Sequence, residues 1–327
     1  MDASGLIRQQ IKEPLEEIAD RAAIPALTAV DSGTSAEVMR QYEENPYPRW
    51  TINPLSLLDR PKANNATGRS GPSILIAGCG TGEHPVDIAQ KSPEASILAI
   101  DLSRVSLAYA RRKTREEGLR NIEYAQADIL NLSTIGRTFD RIEAVGVLHH
   151  LADPQAGWRV LLSLLAPNGV MRVGLYSEIV RRSIVEARAI VAKRGYPPTA
   201  DGIRSLRQTI IRDKDEPRWA SLLQTVDFYS TSGCRDMFFN VMEHRLTIPD
   251  IKSFLDEQGF ALLGFELDAK IVEQFRRRNT AADALTDLDA WAAFEAENPQ
   301  TFLNMYVFSM CRRGVAITQW EARPRLE

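Results

Sequence analysis

The sequence is short of cysteine and histidine. Three cysteines, Cys79, Cys234 and Cys311, are spread over 327 residues, too few for a disulfide framework and too scattered for a zinc site. Of the four histidines, His84 stands apart, His149 and His150 are adjacent, and His244 is alone. His244 lacks the carboxylate partners at short helical spacing that iron or zinc sites draw upon, and no metal is expected. An excess of either charge is also missing. Forty basic and 43 acidic residues leave a net −3, with no Lys/Arg block suited to nucleic acid or an anionic membrane. No apolar run approaches the ~18 residues of a membrane span. The opening "MDASGLIRQQ" lacks the basic and apolar regions of a signal peptide, which makes the cytoplasm the expected location. Repeats and low-complexity tracts are absent as well.

What is present is the profile of a globular protein, 44% apolar and 25% charged, of one elaborated domain or two closely joined ones. Leu6, Ile7, Ile11, Leu15 and Ile18 recur at helical spacing and predict an amphipathic N-terminal helix whose apolar stripe lies on something else. "DRPKANNATGRSGP" (59–72) reads as a linker. From Ser73 short apolar strands alternate with amphipathic helices: "ILIAG", "SILAIDL", "NIEYAQADIL", "FDRIEAVGV" and "GVMRVGLYS". Ser103 and Gly118 mark the two ends of the helix after the second strand. Such alternation predicts the α/β class, a doubly wound, mostly parallel sheet covered on both faces. After Ser177 about seventy helical, charge-rich residues intervene before the pattern resumes, and an insertion of that size suggests a functional cap. The expected organisation is an N-terminal arm with linker (1–72), a core (73–176), a helical cap (177–248) and a C-terminal completion of the sheet (249–327).

The stretch with most chemistry is "ILIAGCGTGEHPVDIA" (74–89), a strand ending in the turn Gly78-Cys79-Gly80-Thr81-Gly82. A phosphate loop would follow it with Gly-Lys-Ser/Thr, and here Glu83, His84 and Pro85 offer no cation. The dinucleotide fingerprint wants a third glycine at position 83, where Glu83 places a carboxylate at the helix N-terminus. NAD is thereby disfavoured. A nucleoside without phosphates suits a turn that permits close backbone approach and nothing more.

This turn resembles motif I of class I S-adenosylmethionine-dependent methyltransferases, in the form G-x-G-x-G. The resemblance implies their seven-stranded Rossmann-like sheet and S-adenosylmethionine as cofactor, held by residues 78–82. It also implies that Asp101, with Leu102, ends the second strand about 20 residues further on and accepts the ribose hydroxyls. By the same likeness Asp128 holds the adenine amino group with Ile129 packed nearby, and Gly146 and Val147 line the methionine end. "QYEENPYPRW", "DFYSTSGCRDMFFNVMEHRLTIPDI" and "ENPQTFLNMYVF" are similar to a bacterial methyltransferase group often fused behind tetratricopeptide repeats. This chain has no such repeats, and that group's substrates are poorly defined.

Around the prolines of "ENPYPRW" the aromatic and cationic side chains suit a lid, with Tyr42 and Arg49 toward the cofactor, Arg49 pairing its carboxylate, and Tyr47 toward the substrate. Alternatively, Tyr47 and Trp50 pin the arm to the core. Transfer from a sulfonium is mainly a matter of holding nucleophile, methyl and sulfur in line. A base is required only for a protonated acceptor. His149 (with His150) is one candidate base or a loop-orienting residue. The other lies in the cap. If "GCRDMFFNVMEHRL" is helical, Asp236, Asn240 and His244 form one polar stripe, either solvated or facing the methyl group. In the second case Arg235 and Asp236 bind a polar acceptor and His244 acts in catalysis. Tyr229 is a further catalytic candidate and Tyr176 a further substrate-side one. The expected acceptor is a small molecule or an exposed peptide or protein side chain, methylated on O or N; the oligomeric state is open. A non-catalytic cofactor-binding scaffold and a nicotinamide oxidoreductase are the other readings.

Overall fold

The apolar stripe at the head of the chain faces outward. In the computed structural model, which describes residues 3–30, 33–48, 50, 71–303 and 305–315, α1 (Ala3–Ile7) runs through a π-helical turn, Arg8–Lys12, into α2 (Glu13–Ala23). Leu6, Ile11, Leu15 and Ile18 are 53–61% exposed. This corrects the expectation that the stripe is buried. The reason is electrostatic: α2 presents an acidic row, and α5 (Arg104–Glu116) a basic one. The Arg112 guanidinium, only 2% exposed, takes Glu17 at 2.9 Å, Glu13 at 3.4 Å and Glu116 at 2.8 Å, while Arg115 meets Asp20 at 2.7 Å. A cation ringed by three carboxylates offsets its own desolvation better than an isolated pair does.

Residues 1–142 and 143–327 form two compact units. In the first, β1 (Ser73–Ala77) is an unbroken apolar run buried throughout after its first residue, as a strand covered on both faces must be. It pairs in parallel with β2 (Ser96–Asp101), which pairs in parallel with β3 (Ile122–Gln126). Beyond α2 the arm runs along the edge of β3. Gln126 N–H donates to the Pro25 carbonyl (2.8 Å), and its own carbonyl accepts from Leu27 N–H (2.9 Å), which covers backbone groups an edge strand would leave open. The arm continues into α3 (Thr34–Glu44). α4 (Glu83–Lys91) starts from left-handed Gly82. On α5, Ser103 accepts from Ser106 N–H at the start and Gly118 has φ +71° beyond the end, the two punctuation marks read in the sequence.

The second unit carries the end of β4 (Phe139–Val145), α6 (Pro154–Ser163) and β5 (Leu165–Tyr176). Gly146 N–H donates to the Gly174 carbonyl, and a side chain at Gly174 would strike Val145. Between Ser177 and Leu246 come α7 (Arg182–Arg194), α8 (Ala200–Arg212), α9 (Ala220–Leu223) and α10 (Thr231–Phe239). These helices share a core of their own, including Ile203, Leu206, Trp219, Phe228 and Phe238. α11 (Ile248–Gln258) opens with a reciprocal cap between Thr247 and Asp250 and stops at left-handed Gly259. β6 (Phe260–Phe265), α12 (Ala269–Arg278), α13 (Leu288–Glu297) and β7 (Met305–Arg312) follow. The sheet has seven strands in the order β3-β2-β1-β4-β5-β7-β6, with β7 antiparallel to both its neighbours. The doubly wound, mostly parallel architecture expected from the sequence is the one found. No described helix is long and apolar enough to cross a membrane.

One helix differs from expectation. The predicted run from Gly233 to Leu246 ends at Phe239, where Asn240 turns to φ −60°, ψ 133°. Its side-chain carbonyl accepts from Met242 N–H (3.2 Å) and its main-chain carbonyl from the Arg188 guanidinium (2.8 Å), so the backbone is satisfied off the helix.

Candidate active site

In the first unit the glycine turn is tied down from two sides. Gly78 and Cys79 N–H groups donate to the Ile100 carbonyl, both at 2.9 Å. Gly80 N–H donates to Asp101 Oδ2 and Ser103 N–H to Asp101 Oδ1, each at 2.9 Å. Asp101 thus fixes the turn to the end of β2. Burial raises its pKa; the N–H groups of Ser103, Gly80 and Leu102 counter this. Gly78, Gly80 and Gly82 have φ of +71°, +52° and +88°, a region costly for any residue with a Cβ.

The arm lies on this turn. A Cβ at Gly80 would stand 2.9 Å from the Tyr47 carbonyl. The Thr81 hydroxyl donates to the Pro48 carbonyl, the Trp50 indole N–H donates to the Thr81 carbonyl at 3.0 Å, and the Tyr109 hydroxyl donates to the Trp50 carbonyl. Trp50 is buried and Tyr47 half-buried. Pinning by Trp50 is therefore the arrangement seen, and Tyr42 stands on α3, partly buried. Arg49 lies outside the described residues. Asp128 is buried beside Ile129, and its Oδ1 caps the 3-10 turn that follows, accepting from Leu130 N–H at 3.0 Å. Its own N–H donates to Thr28 Oγ1 (2.8 Å). The Leu102 carbonyl accepts from the Gln126 amide (2.9 Å). Glu83 sits half-buried in the first turn of α4, its carboxyl raised by burial and by Asp87.

In the second unit a buried polar cluster forms where residues 244–246 run back beside the end of β5. Leu246 N–H donates to the Tyr176 carbonyl (2.9 Å), and His244 N–H to the His149 carbonyl (2.8 Å). The His149 ring stacks on Tyr176, with centroids 3.6 Å apart and planes 22° apart. Arg181 lies over the Tyr176 ring at 3.5 Å and is held by Glu243 through two bonds, 3.1 and 2.5 Å. His150 Nδ1 contacts the Met242 carbonyl at 2.7 Å, so that nitrogen carries the proton in the neutral ring. His149 is completely buried, and among the described residues neither of its ring nitrogens has a hydrogen-bond partner. The same holds for Nε2 of His244. Burial first, then His150, Arg181 and His244, keep His149 well below the usual imidazole range.

The early end of α10 separates His244 from the helical stripe, while Asp236 and Asn240 remain bonded at 3.4 Å. Both are buried, as is Arg235, which removes the solvated-face reading. Tyr229 is 60% exposed, and its hydroxyl donates to the Leu223 carbonyl (2.9 Å). It is the neighbouring Phe228 that enters the core, so Tyr229 is not among the residues gathered around His149. Arg181 and Glu243 are the residues the sequence did not flag: they lie 62 positions apart, and no periodicity joins them. Among the described residues no group of three or more His, Cys, Asp or Glu side chains could hold a metal.

Residues 74–169 match the family described as a methyltransferase domain. The fold is the Rossmann-like methyltransferase fold. PKMT2 from Rickettsia typhi has it too, with a TM-score of 0.60 and 16% identity over 88% of this chain and 54% of that one. The same protein in complex with AdoHcy gives 0.58 and 17%, over 76% and 50%. An uncharacterised Synechococcus protein is 30% identical over 237 residues, 68% of this chain and 56% of that one. The ubiquinone biosynthesis O-methyltransferase of Acinetobacter baumannii is 30% identical over 125 residues, 37% of this chain and 50% of the enzyme. The chain spans about half the length of the curated relatives it matches.

Proposed function

We propose that this protein is an S-adenosylmethionine-dependent methyltransferase, moving a methyl group to an oxygen or nitrogen of a small molecule or an exposed side chain. The observation that carries this reading is the bare turn fixed to Asp101, the carboxylate at the end of β2, at 2.9 Å, within a matched methyltransferase domain. The cradle fits the cofactor. At left-handed Gly78 no side chain keeps a nucleoside from the backbone, and Asp101 at the end of β2 would accept from a ribose hydroxyl. Asp128 and Ile129 would hold the base, and Gly146 and Val147 the methionine end. When bound, the cofactor supplies the sulfonium methyl. The protein's share is alignment, for which rigidly anchored segments are needed. Glu83 at the N-terminus of α4 is poorly suited to a pyrophosphate, which counts against NAD.

Residues 73–176 serve the cofactor in this reading and the 177–248 insertion the acceptor, with His149 and His244 in the buried cluster and Arg235, Asp236 and Tyr176 around them. The arm segment similar to the group often fused to tetratricopeptide repeats is held against the turn by Trp50, whose indole N–H donates to the Thr81 carbonyl, which suits a member of that group. Calorimetric titration tests the whole proposal. S-adenosylhomocysteine should bind and NAD should not; preference for NAD would overturn it.

A further inference from the structure

We propose that the outward-facing stripe on the helix formed by α1, the π-turn and α2 is a docking surface for a second copy of this chain, the two helices packing face to face and antiparallel.

Leu6, Ile7, Ile11, Leu15 and Ile18 are 49–61% exposed. Between them residues 8–12 form a π-turn, closed where Glu13 N–H donates to the Arg8 carbonyl five positions back. Such a turn holds one residue more than an α-turn, so Leu6 falls in line with Ile11, where a continuous α-helix would carry it to the side. Single π-turns inside α-helices are rare and concentrate at functional sites. Here the turn joins two helical stretches into one continuous stripe.

The stripe is also held outward. Glu13, Glu17 and Asp20, on the opposite side of the helix, are engaged by Arg112 and Arg115 of α5. Rolling the apolar side onto α5 would break these pairs and strand the Arg112 side chain, 2% exposed, without its carboxylates. Five large aliphatic side chains about half exposed make a patch of roughly 400 to 500 Å2, at the upper end of what monomers leave open. Two such patches together approach the ~1,000 Å2 at which specific interfaces begin.

The charges beside the stripe identify the partner. Lys12 and Glu16 each follow a stripe residue, Ile11 and Leu15, and so line one rim four positions apart. Gln10 and Pro14, which precede those residues, line the other rim and carry no charge. A two-fold axis across antiparallel helices brings like rims together in opposite directions, so Lys12 of one copy stands beside Glu16 of the other, twice over. Parallel helices would set the charged rim against the uncharged one. A lipid surface suits the stripe less well. Interfacial helices carry mainly Lys and Arg on the polar side, and here Glu13, Glu16, Glu17 and Asp20 occupy it.

Sedimentation equilibrium of the full chain at tens of micromolar tests this. The mass should approach twice the 36.6 kDa of one chain. Leu15→Glu should raise the Kd of the dimer at least about tenfold with helicity by circular dichroism unchanged, since position 15 is exposed in the single chain. Lys12→Glu and Glu16→Lys should each weaken self-association, and an equimolar mixture of the two should pair more tightly than either alone, because the mixed dimer restores both contacts. A chain monomeric throughout, a dimer indifferent to Leu15→Glu, or a mixture with no preference for the mixed pair would overturn the inference. Flotation with vesicles of phosphatidylglycerol and phosphatidylcholine covers the other occupant: a monomer that binds them through Leu15 is a membrane-surface helix, and the dimer falls.

Discussion

Gly80 and Asp101 are joined by a 2.9 Å hydrogen bond from the glycine N–H to the carboxylate, so the residue proposed to hold the ribose also sets the shape of the turn beneath it. Asp101→Ala removes both effects. It should weaken S-adenosylhomocysteine binding by roughly 1.5 to 3 kcal/mol, the worth of hydrogen bonds to a charged group. Calorimetry on the variant checks this, and unchanged affinity would remove Asp101 from the cofactor site. Asp101→Asn keeps an acceptor for one of the two N–H groups and should bind better than the alanine form.

Trp50 connects the arm to the turn through the Thr81 carbonyl. Trp50→Phe deletes one buried donor and should cost about 0.5 to 1.5 kcal/mol in urea unfolding. Trp50→Ala also deletes a buried ring, and about 3 to 5 kcal/mol is expected.

Arg181 and Glu243 form an ion pair whose side chains are 7% and 1% exposed. Removing one partner leaves a buried charge, so Arg181→Met or Glu243→Gln alone should destabilise by about 3 to 5 kcal/mol. The double variant Arg181→Met/Glu243→Leu should lose much less than the sum of the single changes. A double-mutant cycle by denaturant melts measures the difference; strict additivity would show that the pair is not coupled.

Acid should destabilise the fold before the carboxylates titrate. His149 and His150 are both held below the ordinary imidazole value, chiefly by burial, whereas in the unfolded chain they take up protons near about 6.5. Below that value the unfolded state binds more protons. The stability their neutral forms allow is therefore complete above about pH 6.5 and declines as pH falls. Asp101 and Glu295, raised by burial, act in the opposite sense, closer to the carboxylate range. Urea midpoints measured from neutral to mildly acid pH should drop, and His150→Gln should flatten the slope. A midpoint rising with acid would contradict the neutral assignment.

Gly82 is crowded as well as left-handed: a Cβ there would lie 2.4 Å from that of Ala110. Gly82→Ala should destabilise by more than about 1 kcal/mol. Adding Ala110→Gly removes the nearest atom but leaves the Cα of residue 110 at 2.9 Å and the left-handed backbone unchanged, so thermal melts of the double variant should recover only in part.

What the sequence revealed here is what local pattern encodes. The apolar runs of β1 and β2, the Ser103 and Gly118 boundaries of α5 and the glycine turn were all legible, because strand period, capping and positive φ each leave a mark within a few residues. Two readings failed for a common reason. The stripe Leu6 to Ile18 looked core-facing because periodicity reports amphipathicity without saying which face finds a partner, and the acidic row found Arg112. The run from Gly233 to Leu246 looked helical because its residues tolerate a helix, yet Asn240 is satisfied by Arg188 from α7. Arg181 and Glu243 were invisible for want of any local signal; only the return of residues 244–246 beside β5 unites them.

The Tyr47 carbonyl occupies the space that a side chain at position 80 would need. Any larger residue there would lift the arm away, and a displaced arm would strip Thr81 of its indole neighbour. Two stretches far apart in the chain are consequently bound to a shared evolutionary fate, each able to drift only as far as the other permits.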